Sequence, residues 1–162
     1  MSFLYIVEMR IKQERFTLYH LYNRGNRKCP ICFDKEDFDY LLKLIRVNIT
    51  NRHYDLLSMC IMPNHYHILL AQTGEKSIGS AMQVIACKYT RYFNKRYCYV
   101  GHLFQGSYKY KPVKGLLYFN WLARYIRSNP LEINPQCRSL CTRYFENKRL
   151  IRIYRFFFRS DL

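Results

Sequence analysis

Two strand-like runs joined by a short proline-containing turn constrain this chain more than any other feature. Tyr54 to Cys60 and His65 to Leu70 flank Met62-Pro63-Asn64. Proline has no N–H to give to a strand ladder, so the segment reads as the connection of an antiparallel hairpin. A sheet containing this pair must be covered by amphipathic helices, and the flanking sequence supplies them.

Thr17 to Tyr22 is rich in β-branched and aromatic residues and ends at Asn23-Arg24-Gly25-Asn26, a strand running into a turn. Asp34 can cap a helix that carries Asp37 three residues on, with Phe38, Leu41, Leu42, Ile45 and Ile49 at helical spacing to about Asn51. Ser77 caps a second periodic segment, whose stripe is Ile78, Met82, Ile85, Ala86, Tyr89 and Phe93. His102 to Val113 alternates unevenly and reads as a further strand or an extended basic loop. Gly115 opens a third helix, Leu116 to Asn129, which stops before Pro130 because the residue preceding a proline resists helical geometry. The order strand, helix, strand, strand, helix, strand, helix predicts an α+β domain in the ferredoxin-like pattern, helices packed on an antiparallel sheet. No repeat or linker divides residues 1–136, expected to form one domain. Residues 137–162 form a basic, aromatic tail to which no element is assigned.

Charge narrows the function. Lys and Arg number 27 against 11 acidic residues, a net +16, far more than solubility requires, so the partner should be polyanionic. The cations are spread along the chain rather than gathered in a lipid-binding tail, which favours nucleic acid over a membrane. Many rings sit beside cations, as in Tyr108-Lys109-Tyr110-Lys111, an interleaving that suits unpaired bases. Seven scattered cysteines, an odd number, argue against a disulfide framework and for a reducing interior. Phe3 to Val7 is too short for a signal-peptide core and no stretch reaches membrane-spanning length, so a cytoplasmic protein is expected. Cys29-Pro30-Ile31-Cys32 has zinc-knuckle spacing, but Cys137 and Cys141 complete it irregularly.

His65 and His67 are two apart, so on a strand both imidazoles share one face. Alone, such a pair is more commonly a hydrogen-bonded polar face than a metal site. Its context is Met62-Pro63-Asn64-His65-Tyr66-His67, preceded by Tyr19-His20-Leu21-Tyr22-Asn23-Arg24-Gly25-Asn26-Arg27. Gly101-His102-Leu103-Phe104-Gln105-Gly106 and Tyr125-Ile126-Arg127-Ser128-Asn129-Pro130 follow. Those four motifs, in that order from about Tyr19 to Pro130, resemble the HUH single-tyrosine transposases. Within the insertion-sequence-200-like group they most resemble the REP-associated tyrosine transposases.

The resemblance implies a single HUH transposase domain that cleaves single-stranded DNA beside hairpins and rejoins ends. By resemblance, His65 and His67 bind a divalent ion, magnesium or manganese, and Tyr125 on the last helix of the domain attacks the phosphate to leave a 5′-phosphotyrosine. Magnesium prefers oxygen donors, so two imidazoles need an oxygen ligand, which the resemblance places at Asn129. Asn129 is four residues from Tyr125 and thus on the same helix face. A free phenol, with a pKa of about 10, is a weak nucleophile until metal or cations favour its anion. Arg124 and Arg127 are close enough in sequence to help or to bind backbone phosphate. Arg24, Asn26 and Arg27 are expected to contact DNA from a turn whose Gly25 permits close approach. Tyr118 is the other candidate nucleophile, and His20 is read as packing beside the site rather than as a ligand. A homodimer, in which the tyrosine helix serves a partner's site, stays open. The alternative function is a non-catalytic module that binds hairpin DNA or structured RNA. The segment beyond Pro130, with the chain's single tryptophan upstream at Trp121, has no counterpart in the family's usual ending.

Overall fold

The expected hairpin lies at the heart of a five-stranded sheet in a computed structural model that describes residues 17–50, 53–129 and 143–160. β2 (Tyr54–Met62) and β3 (His65–Gln72) pair antiparallel with Met62 opposite His65, so the loop is reduced to Pro63 and Asn64. β1 (Thr17–Arg24) lies on the other side of β3, and β4 (Lys109–Pro112) pairs with β1. β5 (Arg143–Glu146) adds to the far edge of β2, giving the order β4-β1-β3-β2-β5 with every neighbour antiparallel. The first four strands have the ferredoxin-like arrangement that the element order predicts. Of His102 to Val113, only the four residues of β4 are strand.

The helices form where their signals lie. Asp34 caps α1 (Lys35–Ile49), its carboxylate accepting the Asp37 N–H at 3.1 Å, and Ser77 caps α2 (Ile78–Tyr97) by accepting from Gly79 at 3.2 Å. Phe38, Leu41 and Ile45 of α1 and Met82, Ile85 and Tyr89 of α2 form one core with Tyr66, Ile68 and Leu70 of β3. Each fully buried aliphatic or aromatic side chain of this kind stabilises by roughly 2 kcal/mol.

The other sheet face carries a second core. α3 (Leu116–Ser128) contributes Phe119, Leu122, Ala123 and Ile126, and α4 (Lys148–Ser160) contributes Leu150, Ile151, Ile153 and Tyr154. They pack on Leu69 and Ala71 of β3 and on Leu57 and Cys60 of β2, where a bulge between Leu56 and Ser58 shifts the register. The final helix, which the sequence reading left unassigned, is strongly amphipathic: Arg149 and Arg152 are outside while Leu150, Ile151 and Tyr154 are inside. Tyr154 anchors it by donating to the Asp55 carboxylate at 2.8 Å. Among the described residues no helix is long and apolar enough to cross a membrane.

Candidate active site

Alternation along β3 sends Tyr66, Ile68 and Leu70 to the α1/α2 core, so His65 and His67 face the side that carries α3. Their rings are 5.1 Å apart and nearly perpendicular. The strand register sets Arg24 opposite His65 and Tyr22 opposite His67. His65 Nδ1 lies 2.6 Å from Asn64 Oδ1, an acceptor, which places the ring proton on Nδ1 and the lone pair on Nε2. His67 Nδ1 is 2.9 Å from His20 Nε2, so its Nε2 also keeps its capacity for another partner.

The surroundings keep these rings uncharged. Burial, reinforced by His65 and His20, holds His67 down at about 3, and burial with help from Lys111 holds His20 at about 4. His65 is lowered by burial and by Arg24. Neutral imidazole is the form that binds metal ions.

α3 brings Tyr125 to this face. The Tyr125 ring meets His67 edge-on at 5.3 Å and stacks on Trp121 at 5.1 Å with planes 10° apart. One turn later Asn129 ends the helix, its backbone N–H donating to the Tyr125 carbonyl. The Asn129 side chain is 3% exposed, and its Nδ2 has no hydrogen-bond partner among the described residues.

A cavity of about 520 Å³ opens beside the histidines, lined by Tyr22, Arg24, His65, His67, Ser107 and Lys109 among others and, among the described residues, by no carboxylate. Its rim is fixed where residues 104–106 bind the end of β1: Gln105 N–H donates to the Arg24 carbonyl at 2.9 Å, and Asn23 Nδ2 to the Gly106 carbonyl at 3.1 Å. Two cations and neutral imidazoles around an open space suit an anion such as a phosphate diester. No group of three or more His, Cys, Asp and Glu able to hold a metal lies among the described residues.

This geometry can be set beside known proteins. A sequence model of the family described as "Transposase IS200 like" matches residues 16–129. The chain belongs to this family. No curated protein sequence matches it. Its fold is similar to that of a REP-associated tyrosine transposase solved bound to a REP hairpin, with a TM-score of 0.58 and 17% identity over 74% of this chain and 68% of that one. A protein from Deinococcus radiodurans R1 described as a candidate transposase matches at a TM-score of 0.51 and 21% identity, over 70% of this chain and 91% of that one.

In this IS200-like family member the remaining sequence-predicted residues separate into groups. Arg24 lines the histidine cavity. Asn26 and Arg27 are exposed in the short turn Asn26–Lys28, where Arg27 adopts a φ of 53°. Gly25 is required by the chain's own backbone: a Cβ there would collide with the Cys29 carbonyl oxygen. Arg124 and Arg127 line a different hollow of about 360 Å³ with Asn120 and Glu146, and Arg127 is bound to the largely buried Glu146 carboxylate at 2.5 Å. Tyr118 stacks on Trp121 at 5.7 Å, so the ring path from it to His67 passes through Trp121 and Tyr125. Cys29 is exposed while Cys32 is buried with its Sγ 3.2 Å from the Tyr89 hydroxyl. Cys137 and Cys141 lie outside the described residues.

Tyr22, Ser107 and Trp121 are not marked as site residues by the sequence, and Lys109 stands out only as a cation between rings. Tyr22 carried a usable signal, since it stands two residues from His20 and shares its strand face. Ser107 reaches the cavity through loop packing that has no sequence period, and Lys109 through the pairing of β4 with β1, which sets it opposite Tyr22.

Proposed function

We propose that this chain is a metal-dependent single-stranded DNA endonuclease and strand transferase that cuts beside a DNA hairpin through Tyr125 and rejoins the ends. The observation that carries this reading is the Tyr125 ring edge-on to His67 at 5.3 Å, which joins the tyrosine helix to the histidine strand.

In the cutting step the Tyr125 Oη forms a bond to phosphorus as the bond from phosphorus to the 3′-oxygen breaks. The phenol loses its proton and the 3′-oxygen gains one, leaving a 5′-phosphotyrosine and a 3′-hydroxyl. Rejoining is the same exchange run with an incoming 3′-hydroxyl. Arg24 and Lys109, both lining the cavity, neutralise phosphates of the bound strand. Asn26, Arg27 and Arg124, all exposed, contact flanking backbone, and Arg127 does so only by exchanging its Glu146 partner for a phosphate.

The donor set fits a divalent ion. His65 and His67 have their Nδ1 atoms occupied by Asn64 and His20, and the buried Asn129 amide has an atom without a partner among the described residues. Turning that amide over presents its oxygen at the same position. His65, His67 and Asn129 would hold magnesium or manganese, which supplies charge neutralisation on the non-bridging phosphate oxygens.

A hairpin is the proposed substrate because a fold relative is solved bound to one. The test is incubation of a labelled single-stranded hairpin with the protein and magnesium or manganese, followed by denaturing electrophoresis. A covalent protein–DNA adduct that is lost in Tyr125→Phe and in His65→Ala supports the reading. An adduct that persists in Tyr125→Phe refutes the nucleophile, and binding without cleavage by the unaltered protein leaves a hairpin-binding module.

A further inference from the structure

Trp121 is 53% exposed, yet it is ordered by rings on both sides of it in sequence. Tyr118 stacks on it at 5.7 Å with planes 14° apart, and Tyr125 stacks on it at 5.1 Å with planes 10° apart. The spacing of three and four residues lines these rings along one row of α3, beside the row of Phe119, Leu122 and Ile126 that packs into the core. We propose that Trp121 is a positioning residue for the Tyr125 phenol; this rests on Tyr125 being the nucleophile.

The physical reason lies in the two side-chain torsions of tyrosine. Tyr125 is half-buried, and its backbone alone leaves several rotamers open. A face-on contact with Trp121 and an edge-on contact with His67 restrain the ring from two directions of different geometry. The phenol oxygen is then held in place before DNA arrives, and the entropy of ordering it is not added to the barrier of the cutting step. Tyr118 extends the stack and keeps the indole itself from turning away.

The test exploits a property of the chain: Trp121 is its single tryptophan, so emission excited at the red edge of the absorption band, where the 16 tyrosines absorb little, reports this stack. Tyr125→Ala is expected to shift the emission of the DNA-free protein and raise its acrylamide quenching, whereas Tyr125→Phe, which keeps the ring, leaves both near the native values. In single-turnover assays at saturating hairpin, Trp121→Ala is expected to slow cleavage by about 10- to 100-fold without weakening DNA binding, and Trp121→Phe to restore most of the rate. Circular dichroism of each variant confirms folding, which an exposed position should tolerate. The proposal is overturned if Trp121→Ala cleaves at the native saturated rate, or if its loss lies wholly in DNA affinity, which would make the indole a base-stacking platform. Failure of the nucleophile assignment reads out separately, as an adduct that survives Tyr125→Phe.

Discussion

His20 Nε2 lies 2.9 Å from His67 Nδ1, a contact between adjacent strands β1 and β3 that orients the more deeply buried of the two β3 histidines. For His67 to offer a lone pair at Nε2, its proton must sit on Nδ1 and His20 must accept it. His20 then carries its own proton on Nδ1, an atom with no partner among the described residues. A bound ion would therefore polarise the contact in one sense. His20→Ala is expected to lower divalent-ion affinity and adduct formation by about 10- to 100-fold while hairpin binding holds, as measured by manganese titration calorimetry alongside the cleavage assay. Unchanged ion affinity in a folded His20→Ala protein would show that His67 needs no such partner.

The same burial makes the protein acid-sensitive. His20 and His67 are held at about 4 and about 3, below the value of 6.5 for an exposed imidazole. As pH falls below 6.5 the unfolded chain takes up these protons while the folded protein does not, so stability present above 6.5 is lost progressively toward pH 4. Thermal melting in the presence of a chelator should show a fall of roughly 5 °C or more between pH 7 and 4.5. His20→Gln, which cannot titrate, should show a shallower fall. An equally steep loss in that variant would assign the acid sensitivity to carboxylates instead.

How far this site was legible in the sequence depends on the range of the interactions that build it. The histidine pair, the Tyr125/Asn129 spacing and the Pro63-Asn64 turn are local patterns, and each element they mark forms where the pattern stands. The His20–His67 contact depends on the register between β1 and β3, which no local pattern specifies. α4 was missed although Arg149, Arg152 and Arg155 recur every three residues, because the apolar residues between them, Leu150, Ile151, Ile153 and Tyr154, look continuous until a sheet is there to receive one face. β5 is four residues long and exists as a strand through its pairing with β2. In the sequence Trp121 marks only a departure from a family pattern, and its place beside two rings comes from the helix.

Asp37 ties the two helices of the first core together. It is fully buried, and its carboxylate accepts from the Phe33 N–H at 2.8 Å, the Tyr92 hydroxyl at 3.0 Å, the Tyr97 hydroxyl at 2.7 Å and the Arg96 guanidinium at 2.9 Å. Removing the acceptor leaves four donors without their shared partner; Arg96 is partly exposed and keeps Asp34 and Glu36, so the cost is that of the buried donors left unsatisfied, about 1–3 kcal/mol. Asp37→Ala should lose that much in urea denaturation. Lys35→Ala, whose salt bridge to Asp39 is exposed, should lose less than about 1 kcal/mol. A comparable loss in both variants would contradict the burial argument.

Cysteine reactivity offers an independent check of the two cores. Burial pushes the Cys60 thiol up to about 12, and Cys32 is also buried, whereas Cys29, Cys87 and Cys98 are exposed. The thiolate is the reactive form, so iodoacetamide at pH 8 should modify the three exposed residues in the folded protein. Cys32 and Cys60 should react only after denaturation, as read by peptide mass spectrometry. Early modification of Cys60 would mean that the second core, and with it the seat of α3, opens readily.

Binding of the proposed hairpin should be governed by salt, since neutralising phosphates with cations releases condensed counterions. A net charge of +16 supplies the attraction, but the arginines should not contribute equally. Arg24 lines the histidine cavity, while Arg127 is bound to Glu146 and must exchange that carboxylate for a phosphate to contribute. Arg24→Ala is therefore expected to reduce the slope of log affinity against log salt by about one, and Arg127→Ala by clearly less. Anisotropy titrations of a labelled hairpin across a salt series measure both. Should Arg127→Ala flatten the slope as much as Arg24→Ala, the Glu146 pair would have to open on DNA binding, and the hollow between α3 and β5 would belong to the DNA path.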